Sequence, residues 1–128
     1  MKIKQLATIP EDRVVHCPKG GFVSERMLLE SDGMGYTMTM TTIPPGRVNY
    51  WHYKNHLESC YCVSGRGEIT SAATAKTYPI APGTLYVLDE HDPHYVEAFE
   101  TLKLICVFNP PLTGREVHDE TGAYKRSK

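Results

Sequence analysis

The sequence holds no uninterrupted apolar stretch near the roughly 20 residues that a membrane-spanning helix needs. Its start, MKIKQLATIPEDR, lacks the apolar core of a signal peptide. Neither sign of charge is in excess: the formal net charge is −1 over 128 residues, with no basic run above background. That argues against nucleic acid or an anionic membrane as the main partner. No C-x-x-C pair occurs either. Cys60 and Cys62 are one residue apart, and Cys17 and Cys106 stand alone, so the spacing of zinc ribbons and dithiol redox centres is absent. A cytoplasmic location is the expectation, with the four cysteines reduced. Cys17, Cys60 and Cys62 read as small buried apolar side chains; Cys106 stays open at this point. Amphipathic helices, internal repeats and low-complexity segments are also missing, apart from one turn expected near residues 10–14.

What is present is a folded-protein composition, 41% hydrophobic and 23% charged, in a length that suits one domain over residues 1–128. Glycine and proline punctuate the chain throughout, as in CPKGG, SDGMG, IPPGR, VSGRG, IAPGT and NPPLTG. Between them lie short runs rich in Val, Ile, Thr, Tyr and Met: FVSERMLLE, GYTMTMTTI, SCYCVSG, GEITSAAT, TLYVLDE, HYVEAF and LKLICVFN. Strands of that length at that spacing predict an all-β sandwich or closed barrel. Period two puts Thr37, Thr39 and Thr41 on one face of their strand, either a solvent face or the polar lining of a barrel.

The segment WHYKNHLESC, residues 51–60, crowds His52, Tyr53, Lys54, His56 and Glu58 together. On one straight strand His52 and Glu58 would be about 20 Å apart, so a bend at Tyr53–Asn55 is expected. Beyond it His56 and Glu58 share a face and Leu57 takes the other. Gly46, His52, Lys54, Glu58 and Gly65 stand at the spacing G-x5-H-x-K-x3-E-x6-G, with Lys54 where a second histidine would fall; a second segment runs from Gly83 to His94. In order, in an all-β chain, these two segments resemble the two motifs of the cupin family, small jelly-roll-like β-barrels with an internal metal site. Lysine cannot take a histidine's place as a ligand, because its ammonium has no lone pair. Tyr86, on the strand after Gly83, is then the candidate third donor beside Glu58 and His94; packing with one hydrogen bond is its simpler role. Two oxygens and one imidazole suit Fe(II) or Mn(II), and zinc is compatible. His56 admits three roles: ligand, base or turn residue. His16, His52 and His91 read as structural.

The tail CVFNPPLTGREVHDETGAY, residues 106–124, is too polar after Pro111 for a core strand. It reads either as a solvated tail or as a cover folded over the barrel mouth, bringing Glu116 and His118 to a site.

DGMGY, HYKNHLE, YCVSGRGEI, YPIAPGTLYVLDEHDPHY and this tail together resemble the ectoine synthase family of cupins, over about Met1 to Tyr124. The resemblance implies a water-eliminating ring closure of N-γ-acetyl-L-2,4-diaminobutyrate to ectoine in a cytoplasmic, head-to-tail dimer. It implies iron held by Glu58, Tyr86 and His94. It places substrate contacts at Phe22, Arg26, Thr41, Tyr53, His56, Cys106, Phe108, Glu116 and His118. The ring closure itself needs a base, for which Glu116, His118 and Tyr53 are the candidates, and an acid, for which His118 and Tyr53 are. The chain departs from the family pattern at Phe22, usually Trp, at Lys54, commonly Gln, and in TMTM and SC; these changes leave the ligand set intact. Two other readings fit the residues: a different metal-cupin enzyme acting on an amino-acid derivative, and a non-catalytic cupin that binds ectoine-like solutes.

Overall fold

The computed structural model describes residues 1–17 and 20–116. Eight antiparallel strands make up the architecture: β1 Val14–His16, β2 Val23–Leu28, β3 Thr37–Ile43, β4 Val48–Trp51, β5 Leu57–Ser71, β6 Thr77–Ile80, β7 Leu85–Leu88 and β8 His94–Asn109. Helical structure among the described residues is confined to three 3-10 turns, at Leu6–Thr8, Glu11–Arg13 and Glu30–Asp32. The second is the turn expected near residues 10–14.

Two long strands organise the rest. The first half of β5 pairs with β7 and with the second half of β8; the second half of β5 pairs with β6 and with the first half of β8. β3 continues the ladder on one side of β8, and β4 pairs with its start. One sheet therefore runs β1-β2-β3-β8-β5-β7 and the other β4-β8-β5-β6, with β5 and β8 shared by both. The result is the rolled, jelly-roll-like barrel of a cupin.

The sequence divides each long strand in two, at VSGRG and at the polar FETL stretch. The structure instead carries both strands through. Register shifts between Cys62 and Gly67 bend the β5–β8 ladder at that point. Gly65, at φ +90°, allows the bend: a Cβ there would collide with the Thr101 carbonyl. A strong local turn signal thus became a corner, because the neighbouring strand bends with it and keeps the ladder paired. Strands β1, β4 and β6 were not foreseen. VNYW and TYPI are short, and the second carries a proline, which edge strands tolerate.

Period-two alternation holds where it was read. Thr37 and Thr39 are buried while Met38 and Met40 are only half-buried, so the threonines line the barrel interior. The apolar core is built from Ile43, Ile69, Ile80, Val96, Leu102 and Leu104, all nearly inaccessible to water. Burying each such side chain contributes on the order of 2 kcal/mol. After β8, a cis Asn109–Pro110 bond turns the chain back. Leu112 then docks beside the start of β3: its N–H donates to Thr37 Oγ1 at 2.7 Å, and its carbonyl accepts from Glu30 N at 2.7 Å. The described start of the tail is therefore seated on the end of the barrel that carries Phe108. No helix among the described residues is long and apolar enough to cross a membrane.

Candidate functional site

The bend expected at Tyr53–Asn55 is a turn at Lys54–Asn55, with Lys54 N donating to the His52 carbonyl at 3.1 Å. Lys54 is exposed and points away from the interior. His91, with φ +54°, fastens this turn: its Nδ1 lies 2.9 Å from the Tyr53 carbonyl and 3.1 Å from that of His56. A carbonyl only accepts, so that nitrogen carries the proton. Its structural reading holds. The turn delivers Tyr53, His56 and Glu58 inward, while Leu57 faces out.

Register then sets the site. Cys60 of β5 stands opposite Cys106 of β8 and Tyr86 of β7. Cys106 in turn faces Thr39 of β3, and Thr39 faces Arg26 of β2. Arg26, Thr39, Cys106, Cys60 and Tyr86 thus form one cross-strand row over five strands, with all but Tyr86 fully buried. Glu58 lies in the next row, opposite Phe108. Beside these rows lies a cavity of about 20 Å³, whose walls include Phe22, Thr41, Trp51, Tyr53, Glu58, Tyr86, Cys106 and Phe108.

Aromatic rings give the cavity stiff walls. Tyr53 packs edge-on to Phe108 with centroids 5.3 Å apart, and Phe22 packs edge-on to Trp51 at 5.5 Å. His56 lies behind Phe108 at 6.2 Å. His94 begins β8 and sits 6.2 Å from Tyr53 and 6.1 Å from Trp51, measured between ring centres. It lines a second hollow, which shares Tyr86 with the first. The structure therefore gathers Phe22, Thr41, Tyr53, Glu58, Tyr86, Cys106 and Phe108 around one cavity. It places His56 and His94 in ring contact with the walls and Arg26 at the far end of the buried row. His118 lies outside the described residues.

The electrostatics are those of a dry pocket rich in acids. Burial pushes the Glu58 carboxyl well above its usual range, and the neighbouring Cys106 adds to that. Burial likewise raises Tyr86, reinforced by Cys60 and Glu58. Cys106 moves down, because Cys60 donates to it and the hydroxyls of Thr41 and Thr39 assist against its burial. Burial holds His94 neutral. Its Nδ1 donates to the Asp92 carbonyl at 2.8 Å, which fixes the tautomer and leaves Nε2 with its lone pair. A neutral imidazole, a desolvated carboxyl and a buried phenol are donors that a divalent cation would convert to their binding forms, so the residues fit a metal.

Glu116 is buried too, but its oxygens cap their own loop. Burial pushes the carboxyl up, and N–H groups of Thr113, Glu116 and Gly114 with the Thr113 hydroxyl outweigh it, holding Glu116 ionised. Cys60, read as a small buried apolar side chain, is buried in the core as expected. The carboxylate of Glu58 and the sulfurs of Cys60 and Cys106 all lie within 4.8 Å of one another. Cys60 is two residues after Glu58 on one strand, hence on the same face.

The model of a protein family described as ectoine synthase matches residues 1–128. The chain belongs to the ectoine synthase family. L-ectoine synthase of Teredinibacter turnerae is 54% identical over 114 residues, which cover 89% of this chain and 86% of that one. L-ectoine synthase of Desulfatibacillum aliphaticivorans is 50% identical over 125 residues, 97% and 96% of the two chains. The crystal structure of ectoine synthase from P. lautus superposes with a TM-score of 0.87 at 42% identity, covering 100% of this chain and 92% of that one. The FeII HppE structure shares the fold at a TM-score of 0.69 with 14% identity, covering 84% and 60%. Membership in the ectoine synthase family makes the protein an enzyme, of the hydro-lyase class.

Proposed function

We propose that the protein closes N-γ-acetyl-L-2,4-diaminobutyrate into ectoine with loss of water, as a metal-dependent L-ectoine synthase of the cytoplasm. The observation that carries this reading is the convergence of Glu58, Tyr86, Tyr53 and Phe108 on one cavity in a chain of this family. Glu58, Tyr86 and His94 would hold the ion; two oxygens and one imidazole suit Fe(II) or Mn(II) and admit zinc, and the family resemblance selects Fe(II). When bound, it supplies Lewis acidity toward an amide or carboxylate oxygen.

The chain's own residues do the rest. Phe22, Trp51 and Phe108 fold a linear acyl diamine back on itself and keep water out, which matters because the reverse reaction is hydrolysis. Preorganising such an intramolecular attack is worth up to about 7–11 kcal/mol. The planar guanidinium of Arg26 suits the substrate carboxylate, and Thr41 offers a hydroxyl on the cavity wall. His56 and Cys106 complete the substrate contacts. The α-amine attacks only when neutral. Taking that proton is assigned to Glu116, which must first leave its hydrogen bonds to the Thr113–Gly114 loop, and delivering one to the departing oxygen to the Tyr53 hydroxyl. His118 is assigned the same acid–base work.

A head-to-tail homodimer accompanies this reading. Leu57, Tyr61, Val63, Leu85 and Val87 stand exposed on the outer faces of β5 and β7, an apolar surface that a second copy would cover. The deciding experiment incubates Fe(II)-loaded protein with N-γ-acetyl-L-2,4-diaminobutyrate and follows ectoine by chromatography. Ectoine should form with the iron-loaded protein and not with the chelated one. No product with any divalent ion would overturn the reading.

A further inference from the structure

One buried amide beside the cavity takes no part in the reaction above. Asn49 is 5% exposed and faces inward from β4, opposite Val96 and two residues before Trp51 on the same face. An amide at such a position costs stability unless it is hydrogen-bonded. Its Nδ2 donates to the Gly21 carbonyl at 3.1 Å. That bond crosses a seam. β2 pairs with β1 and β3, and β4 pairs with β8, so no ladder among the described strands joins β2 to β4. At this seam the cavity wall is the edge-on contact of Phe22 with Trp51.

From this placement we infer that Asn49 is a positioning residue for the ring closure: by holding the Gly21 carbonyl across the seam it sets Phe22 against Trp51, and so fixes the apolar wall on which the substrate folds back. The inference rests on the proposed function and names a residue outside its substrate contacts. The geometry bears on Phe22 in particular. Two peptide planes flank its Cα. The Phe22 carbonyl accepts from Cys17 N at 3.0 Å within the β1–β2 turn, and the Gly21 carbonyl accepts from Asn49. With both planes held, the backbone angles of Phe22 are held too, and they limit the directions its ring can take. Gly21 keeps the approach open: a Cβ there would lie 2.5 Å from Asn49 Oδ1 and 3.0 Å from Arg47 Nε. Gly21 has no positive φ, so the close approach of Asn49 is what calls for a glycine. An apolar wall touches the folded substrate before and during the reaction alike, so loosening it raises KM rather than lowering kcat.

The test reads the wall and the kinetics side by side. Trp51 is the chain's one tryptophan, so its fluorescence reports on this wall alone. Asn49→Ala, Gly21→Ala and the variant carrying both are loaded with Fe(II), as is the unmodified protein. In each single variant acrylamide should quench Trp51 about threefold more readily, and KM for N-γ-acetyl-L-2,4-diaminobutyrate should rise about tenfold with kcat within about twofold. The double variant should be no worse than either single one, because truncating Asn49 makes room for the new methyl. Circular dichroism checks that the variants fold, and Gly21→Ala carries the test should Asn49→Ala fail to. A lowered melting temperature with Trp51 quenching and KM both unchanged would make Asn49 a purely structural residue and overturn the inference. A fall in kcat at unchanged KM would overturn it as well. If the unmodified protein forms no ectoine with any divalent ion, the proposed function falls, and Trp51 quenching alone then decides whether Asn49 holds the wall.

Discussion

The two halves of the β5–β8 ladder use the same backbone to opposite ends. In one half, Glu58, Cys60, Cys106 and Phe108 point inward; in the other, Ile69, Val96 and Ala98 do. Both sets are buried to the same degree. In the second half burial is repaid directly by the hydrophobic effect. In the first, Phe108 gains in the same way, but burial works against Glu58 and pushes its carboxyl well above its usual range. A chain under selection for stability alone would fill both halves alike. The contrast agrees with the proposed site lying in the first half, where a buried carboxyl costs stability.

Exchanging single residues breaks the comparison most sharply at Glu58. Glu58→Gln keeps the volume and removes the anionic ligand. Turnover and metal content are expected to fall about a hundredfold or more, while the thermal midpoint holds or rises. Assay, metal analysis and a melting curve check this; a midpoint that drops by many degrees would make Glu58 a structural residue. The converse change lies in the other half. Ile80 is 1% exposed and pairs with Gly67 beyond the bend. Ile80→Ala should cost about 2–5 kcal/mol in urea unfolding, with kcat of the still-folded protein nearly unchanged.

The smallest effect is expected outside both halves. Asp32 accepts from Lys4 Nζ at 2.8 Å, Leu29 N at 2.9 Å and Arg13 at 2.9 Å, tying the N-terminal segment to the β2–β3 connection. Lys4, then the Leu29 N–H and Arg13, hold its carboxyl well below the ordinary value of 3.8 despite burial. A carboxyl depressed in the folded state stabilises fully above its unfolded value and loses that contribution as pH falls through its folded one. Asp32→Asn should therefore cost about 1–2 kcal/mol at neutral pH. The difference from the unchanged protein should shrink as pH drops below 3.8. A difference that stays constant down to strong acid would mean that the clamp does not depend on charge.

Local spacing made much of this legible. The turn after Tyr53, the shared inward face of His56 and Glu58 and the outward Leu57 all follow from period two and one bend. Tyr86 and Leu88 facing in, with Val87 out, followed in the same way. Two halves of β5 looked like separate strands because glycines at 65 and 67 read as a turn, and only the paired bend of β8 shows otherwise. The threonines of β3 had two readings, since alternation names a face without saying which side is wet. That Cys60 is buried follows from its strand face, but nothing within its own segment says that Cys106, 46 positions away, stands across from it.

By itself the sequence determined the family, the all-β class and the donors on each strand face, because these depend on spacing along one chain. Tertiary structure alone decided that Cys60 meets Cys106, that Arg26 ends the same buried row, and that the threonines look inward. Those facts depend on strand register and closure. Register is set by how five strands pack around a common interior, a sum of contacts that no single segment contains.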